Sequence, residues 1–297
     1  MTLFEINKND ENQTIFNYIK KNFKNTSLSI IYKWFRTGKV KLNDKKVKDL
    51  KTILNNGDLV RVFDTSTPVK RVVDTNSDFS KLVIIYEDEN ILIVDKDSNV
   101  EMHSNFNDCL DSMVRSYLIS TKQYDIDSET SFVVSHIHRL DKLTQGLVIY
   151  AKNKKTLDTL LTAIQDKDLI EKYYLAKLEE NTIKLGQIDG FINYDSEDKK
   201  AKFSVKEVKR YKNCSQIHKW FDEKSNILEI RLLTGRKHQI RAICEFYKCP
   251  ILSDFRYGAK RTTKKSIALI AYKLKFNNFT DHLSYLNDKE FMSKKTF

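Results

Sequence analysis

The sequence predicts an α+β protein built in two parts, and three observations carry that reading. Short apolar runs such as Leu82–Tyr86, Ile91–Asp95 and Ile227–Leu233 have the length and β-branched content of strands. Apolar residues recur at helical spacing at Ile15, Ile19 and Phe23, and again at Leu157, Leu160, Leu161 and Ile164. Between Asp64 and Ser80 both periods fade into a stretch rich in Thr, Ser, Asp and Asn that contains Pro68. A small module over 1–66, a linker over 67–80 and a larger domain over 81–297 follow.

Each element has a local reason. The first helix spans Thr14–Lys24, and Ser27 is placed to cap a second, whose Leu28, Ile31 and Phe35 share a face and whose stop signal is Gly38. Lys39, Lys41 and Asn43 then alternate with Val40 and Leu42 in an amphipathic strand that ends in an Asn43-Asp44 turn, and Leu59–Phe63 supplies another strand. Leu82–Tyr86 and Ile91–Asp95, separated by Glu87-Asp88-Glu89-Asn90, form a hairpin pattern. Phe132-Val133-Val134 and Leu147–Tyr150 read as strands flanking a connection that carries Arg139 and Asp141, with Gly146 marking a tight loop at re-entry. The helix at Leu157–Ile164 leads into Lys172–Lys177, where alternation sets Tyr174 and Ala176 on one face. After the Ile227–Leu233 strand, Thr234–Arg241 turns into a helix with Ile240, Ile243, Cys244 and Tyr247 on one stripe. Arg241 lies beside that stripe, and a buried arginine requires a carboxylate partner.

Charge narrows the choice of function. The chain holds 52 Lys and Arg against 40 Asp and Glu, a formal +12, which favours a polyanionic partner, nucleic acid first and an anionic membrane second. Placement says more than the total: ten basic residues and one acid, Asp44, lie between Lys20 and Lys48. The competing explanation is a solvated face in a Lys-, Asn- and Ile-rich protein. Cys109, Cys214, Cys244 and Cys249 form no Cys-x-x-Cys pair, which favours free thiols in a reducing compartment over a disulfide framework or a structural zinc. His136 and His138 have no evident third ligand, so no metal is expected. The N-terminus is unlike a signal peptide and no apolar run approaches the ~20 residues of a membrane span, so a soluble cytoplasmic protein is expected.

The string His138-Arg139-Leu140-Asp141, followed by Thr144, Gly146-Leu147 and Ala151-Lys152, resembles the signature of the RluA-type pseudouridine synthases. Lys172-x-Tyr174-x-Ala176 is similar to the second motif of that family, and Leu233-Thr234-Gly235-Arg236-x-His238-Gln239-Ile240-Arg241 to the third. Lys96 and His103 match an earlier segment, and Pro250–Gly258 and Leu269-Ile270-Ala271 match later ones. Ser29–Arg36 with Gly38–Asn43 looks like the α-L RNA-binding module that many of these enzymes carry, closest to the RluC-like branch acting on large-subunit ribosomal RNA. The ordered set covers essentially the whole chain, which is far more specific than any one motif.

The resemblance implies an α-L RNA-binding domain joined to a catalytic domain on a mixed, mainly antiparallel sheet with flanking helices. It implies isomerisation of uridine to pseudouridine, most naturally in large-subunit ribosomal RNA, with Asp141 as the catalytic carboxylate. Arg139, Tyr174, Ile240 and Arg241 would face the substrate, Tyr174 stacking on the base and Arg241 forming a salt bridge to Asp141 that lowers its pKa and suits it to a nucleophile-type role. Lys33, Arg36, Lys39 and Lys41 would face RNA. No cofactor, membrane or protein partner is implied, and a monomer is expected. The departures from the pattern are Asp97 and Asn99 in place of Pro and Gly, Gln145 in place of a small residue, and Ile270 in place of His. Two alternatives stand beside this reading. One is a glycosidic-bond hydrolase, for which Glu171 is the only candidate acid. The other is a ribosome-binding factor that has no catalytic activity.

Overall fold

In a computed structural model of the chain, all residues are described except 70–75, 105–107, 127, 128, 130, 131 and 261–265. Part of the expected 67–80 linker therefore lies outside the described residues. No helix among the described residues is long and apolar enough to cross a membrane.

The N-terminal part is a four-stranded sheet of β1 (Thr2–Glu5), β2 (Val40–Leu42), β3 (Lys45–Lys46) and β4 (Leu59–Val62), in the order β1-β4-β2-β3, with helices α1 (Ile15–Asn22) and α2 (Leu28–Arg36). α1 begins where Thr14 Oγ1 accepts from the Asn17 amide at 3.2 Å. Ser27 occupies the N-cap of α2, but its hydroxyl is shared with Ser29 at 2.9 Å instead of reaching the helix backbone. Ile31 and Phe35 are buried as the helical spacing predicts, whereas Leu28 is exposed and Trp34 fills the core in its stead. Asn43 and Asp44, both at positive φ, make the two-residue turn that joins β2 to β3.

The larger sheet is fed by β5 (Ile84–Glu87), β6 (Ile91–Lys96), β7 (Ser135–His136), β8 (Gln145–Ala151), β9 (Ile170–Lys177), β10 (Gly186–Asp195), β11 (Lys200–Ser204), β12 (Lys212–Asp222), β13 (Ile227–Leu232), β14 (Leu269–Phe276) and β15 (Glu290–Met292). Its order is β11-β10-β12-β13-β9-β14-β8-β6-β5, with β15 on β14 and β7 on β8. Helices α3 (Leu110–Ser120), α4 (Lys154–Ala163) and α5 (Gln239–Phe246) complete the domain. The central strands are covered on both faces. Leu92, Val94, Val148 and Tyr150 point into a core shared with α3 and α5, and Ile91, Ile93, Leu147 and Ile149 into a second core shared with α4 and the C-terminal segment. Burial on two sides is why these strands read as unbroken apolar runs without alternation.

Two expectations change. Phe132 and Val134 are buried, but Phe132–Val134 forms no strand and has no ladder partner among the described residues, and pairing begins only at β7. Leu161, assigned to the buried face of α4, is exposed.

Gly146 lies within β8, not in a loop. It sits at φ +115° in the register where β8 pairs parallel with β14, opposite Ala271. A Cβ built there would lie 2.3 Å from the Ala271 carbonyl oxygen and 2.7 Å from its nitrogen. Every other pairing in the sheet is antiparallel among the described residues, so this close approach is what seats β8 against β14. Gly146→Ala therefore combines a disfavoured backbone conformation with a backbone clash, and is expected to lower stability by about 2–4 kcal/mol in urea unfolding; an unchanged midpoint would contradict the assigned packing.

Candidate active site

The segment from Ile137 to Thr144 connects β7 to β8 and carries Arg139 and Asp141. Its entry is pinned by Asp111 of α3, which takes hydrogen bonds from His136 Nδ1 at 2.7 Å and from the Tyr150 hydroxyl at 2.8 Å. Its exit is strapped to the loop that follows β6. Lys96 Nζ donates to the carbonyls of Asp97, Val100 and Lys142 at 2.8, 2.9 and 3.1 Å, the Asn99 amide to Lys142 O at 2.8 Å, and the Ser98 hydroxyl to Leu143 O at 2.8 Å. Asn99 has φ +67°. It thus adopts the left-handed conformation open to the glycine it replaces, since asparagine tolerates that region best among the residues with side chains. Asp97 pairs with Lys295. Gln145 turns its amide to the Thr296 carbonyl at 3.3 Å, so its extra bulk is directed away from Asp141. These departures leave the loop closed.

Arg241, on the first turn of α5, is buried, and its main partner is not the one expected. Nε and Nη2 grip Asp254 in a two-pronged pair, both at 2.7 Å, and the guanidinium lies over the Tyr257 ring at 4.7 Å. Only Nη1 turns to Asp141, at 3.5 Å from Oδ2, long for a charge-assisted bond. The expected contact is present, but its electrostatic consequence is reversed. Burial raises the Asp141 carboxyl above its ordinary value more than Arg241, and behind it Lys237 and Lys96, lower it.

His238 also faces the acid, with Nε2 3.6 Å from Asp141 Oδ2. It takes the left-handed N-cap position of α5 at φ +57°. Burial, reinforced by Arg241 and Lys237, pushes it down to about 3, so it is neutral near pH 7. The Tyr257 hydroxyl accepts from the Ala201 amide at 2.7 Å and lies 2.8 Å from His238 Nδ1. With the phenolic proton given to Nδ1, the Nε2–H is left pointing at Asp141.

These groups line a cavity of about 670 Å³, a size suited to a nucleoside-sized ligand. Asp141, with a quarter of its side chain exposed, Arg139, Tyr174, Ile240 and Arg241 all border it. Tyr174 projects from the same buried face of β9 as Ala176, as expected, and burial, with Asp141 adding to it, raises its phenol well above the usual range. It is thus a protonated ring in this state, able to stack and donate. Arg139 is exposed at the wall, and no carboxylate pairs with it among the described residues. Nine Lys and Arg residues border the cavity against two acids, Asp141 and Glu101, and Glu101 is paired with Lys142 at 2.9 Å.

Glu171 does not join them. It is on the opposite face of β9, held by Arg231 at 3.0 Å, by the Tyr173 hydroxyl at 2.5 Å and by Asn277 at 3.1 Å. A hydrolase reading therefore loses the acid the sequence offered for it. His136 and His138 also diverge: His136 serves Asp111, whereas His138 Nε2 accepts from the Ile149 amide at 3.4 Å. The expected RNA-facing residues sit far along the chain in the N-terminal part. Lys33 and Arg36 are exposed on α2, Lys41 lies over the Phe63 ring, and Lys39 is engaged by Asp64 at 2.7 Å. Sequence reasoning paired Arg241 with Asp141, did not foresee Asp254 as its main partner and gave no role to His238 or Lys96; the Pro250–Gly258 segment was the available signal for Asp254.

Known proteins resemble the chain over most of its length. The family model for RNA pseudouridylate synthase matches residues 90–246. An uncharacterized RNA pseudouridine synthase of Mycoplasma capricolum is 48% identical over 97% of this chain and 96% of its own length. Ribosomal large subunit pseudouridine synthase D of Borreliella burgdorferi is 31% identical, covering 78% of this chain and 72% of its own. The human protein RNA pseudouridylate synthase domain containing 1 shares the fold, with a TM-score of 0.52 at 19% identity over 69% of this chain and 82% of its own. With the model match spanning more than half of the sequence and the Mycoplasma relative nearly all of it, the chain belongs to the RNA pseudouridylate synthase family.

Proposed function

We propose that this enzyme isomerises uridines in large-subunit ribosomal RNA, with Asp141 as the catalytic carboxylate, and that it works as a cytoplasmic monomer. The observation that carries the catalytic assignment is a partly exposed carboxylate at the wall of a basic, nucleoside-sized cavity, with a buried arginine beside it. The substrate assignment draws on relatives named as ribosomal large subunit pseudouridine synthases.

The reaction breaks the N1–C1′ bond, turns the detached uracil and joins C1′ to C5; C5 gives up its proton and N1 gains one, so no atom is lost. Neither electron nor phosphoryl transfer enters that balance. A target base must leave its stack to reach a recessed carboxylate. Arg139 can take the vacated space or hold a neighbouring phosphate, Tyr174 offers a ring face to uracil, and Ile240 packs the floor. Asp141 is then positioned to attack, or electrostatically support, the electron-poor carbon. Its raised pKa makes it a stronger nucleophile than an exposed aspartate once ionised, and Arg241 offsets part of that rise.

The N-terminal part supplies a second contact with RNA. Lys33 and Arg36 on α2 and Lys45 and Lys46 on β3 are exposed, giving phosphate contacts that add affinity without choosing the target.

Asp141→Asn is expected to reduce pseudouridine formation by ~10³-fold or more while leaving RNA affinity nearly unchanged, read by pseudouridine-specific adduct mapping and filter binding. A binding factor would show no conversion in the parent protein, and a hydrolase would release uracil. The same variant has a stability signature. Because the folded-state pKa of Asp141 is raised, stability falls as pH climbs from the unfolded-state value through the folded one. Asp141→Asn should therefore melt above the parent protein at pH 7, with the difference closing as pH approaches the ordinary aspartate range; a lower Tm at pH 7 would refute the burial argument. Replacing Lys33 and Arg36 by Ala should weaken RNA binding and reduce the log–log salt slope by about 2, and an unchanged slope would remove the N-terminal part from the RNA footprint.

A further inference from the structure

We propose that Lys172 is the receptor for a backbone phosphate of the bound RNA, an anion site built into the wall of the Asp141 cavity. The inference rests on the RNA-modifying role argued above and names a group that holds the substrate's backbone.

Lys172 is two residues before Tyr174 on β9, on the same buried face, and borders the same cavity. Only 7% of the residue is exposed. Its surroundings differ from those of Lys96, which is also buried. Lys96 has its ammonium satisfied by three carbonyls, whereas no hydrogen-bond acceptor or carboxylate among the described residues meets Lys172 Nζ. Gly235 is adjacent and carries no side chain; a Cβ built there would lie 3.9 Å from Nζ. The glycine thus leaves the ammonium open to the cavity.

Lys167 adds positive charge beside Lys172, and Arg139 and the neutral His138 line the same cavity. Lys167 has its Nζ on the Ile164 carbonyl at 2.6 Å. His138, enclosed and with an unpartnered Nδ1, is held neutral by burial and by Lys172. The free protein therefore holds an uncompensated cation in a nearly dry wall, an arrangement that costs free energy until an anion arrives. Burial, and after it Lys167, lowers the ammonium to about 8, so at pH 7 it still carries its proton. A uracil carbonyl is neutral and could not discharge two adjacent lysines. The anions an RNA brings into such a recess are its phosphates, and a flipped nucleotide carries one on each side of its ribose.

The test measures equilibrium binding of an unmodified large-subunit ribosomal RNA transcript by filter binding across a KCl series, using the full-length protein, Lys172→Met and Lys172→Arg. Removing one phosphate contact should raise Kd about tenfold and reduce the log–log salt slope by about 1, with Arg restoring both. Lys172→Met should melt no lower than the parent, because it removes a buried charge that has no partner; Lys172→Gln serves as the second variant should Met disturb packing. An unchanged slope, whatever happens to Kd, overturns the proposal, as does a slope lost in both the Met and the Arg variants. Binding is read without turnover, so a failure of Asp141 as the catalytic group would appear only in the conversion assay and would leave this result independent.

Discussion

The site depends on how one guanidinium divides itself between two carboxylates. Asp254 takes two of the N–H groups of Arg241 at 2.7 Å, and Asp141 is left with the third at 3.5 Å. The first pair is enclosed, so removing either partner would strand a buried charge at a cost of about 3–5 kcal/mol. That makes Asp254 the anchor that aims Arg241. The second contact is loose, and its looseness matters. A carboxylate held tightly by arginine would be ionised and stabilised, but also blunted as a nucleophile. Asp141 instead faces the cavity with a pKa raised by burial and only partly offset by its cationic neighbours.

The sheet delivers these groups to one place. Tyr174 comes from β9, Arg241 and His238 from the turn and helix after β13, and Asp141 from the connection into β8. β14 lies between β9 and β8 and pairs with both, antiparallel on one side and parallel on the other. The parallel contact is short and depends on Gly146 letting two backbones touch. The Lys96 ammonium adds a second brace, since it holds the carbonyl of Lys142, one residue after the acid. Fold and site thus share a few critical positions.

Much of this was legible in the residues. The strands at Ile91, Lys172 and Ile227, the helices at Ile15 and Leu157 and the recess holding Asp141, Tyr174 and Arg241 follow from periodicity and from the ordered motifs. What was not legible depends on contacts across the fold. Phe132–Val134 has strand composition, but no strand among the described residues pairs with it. Gly146 looked like a turn residue because its true constraint, the backbone of Ala271, lies more than a hundred positions away. The acid that holds Arg241 sits 13 residues downstream in an irregular segment, where no period marks it. The direction of the Asp141 shift was missed because pairing is visible in a motif and desolvation is not. The asparagine at 99 is the reverse case: it looked like a loss, and its left-handed backbone shows that the requirement for a glycine-like conformation is kept.

The most direct measurement is the titration of the Asp141 carboxyl by ¹³C NMR in the parent protein and in Asp254→Asn. The account predicts a midpoint above the ordinary aspartate value in the parent. It predicts a lower midpoint in the variant, because Asp254 no longer repels Asp141 and the charge of Arg241 is no longer shared. A midpoint at or below the ordinary value in the parent, or one that does not fall when Asp254 is neutralised, would contradict it.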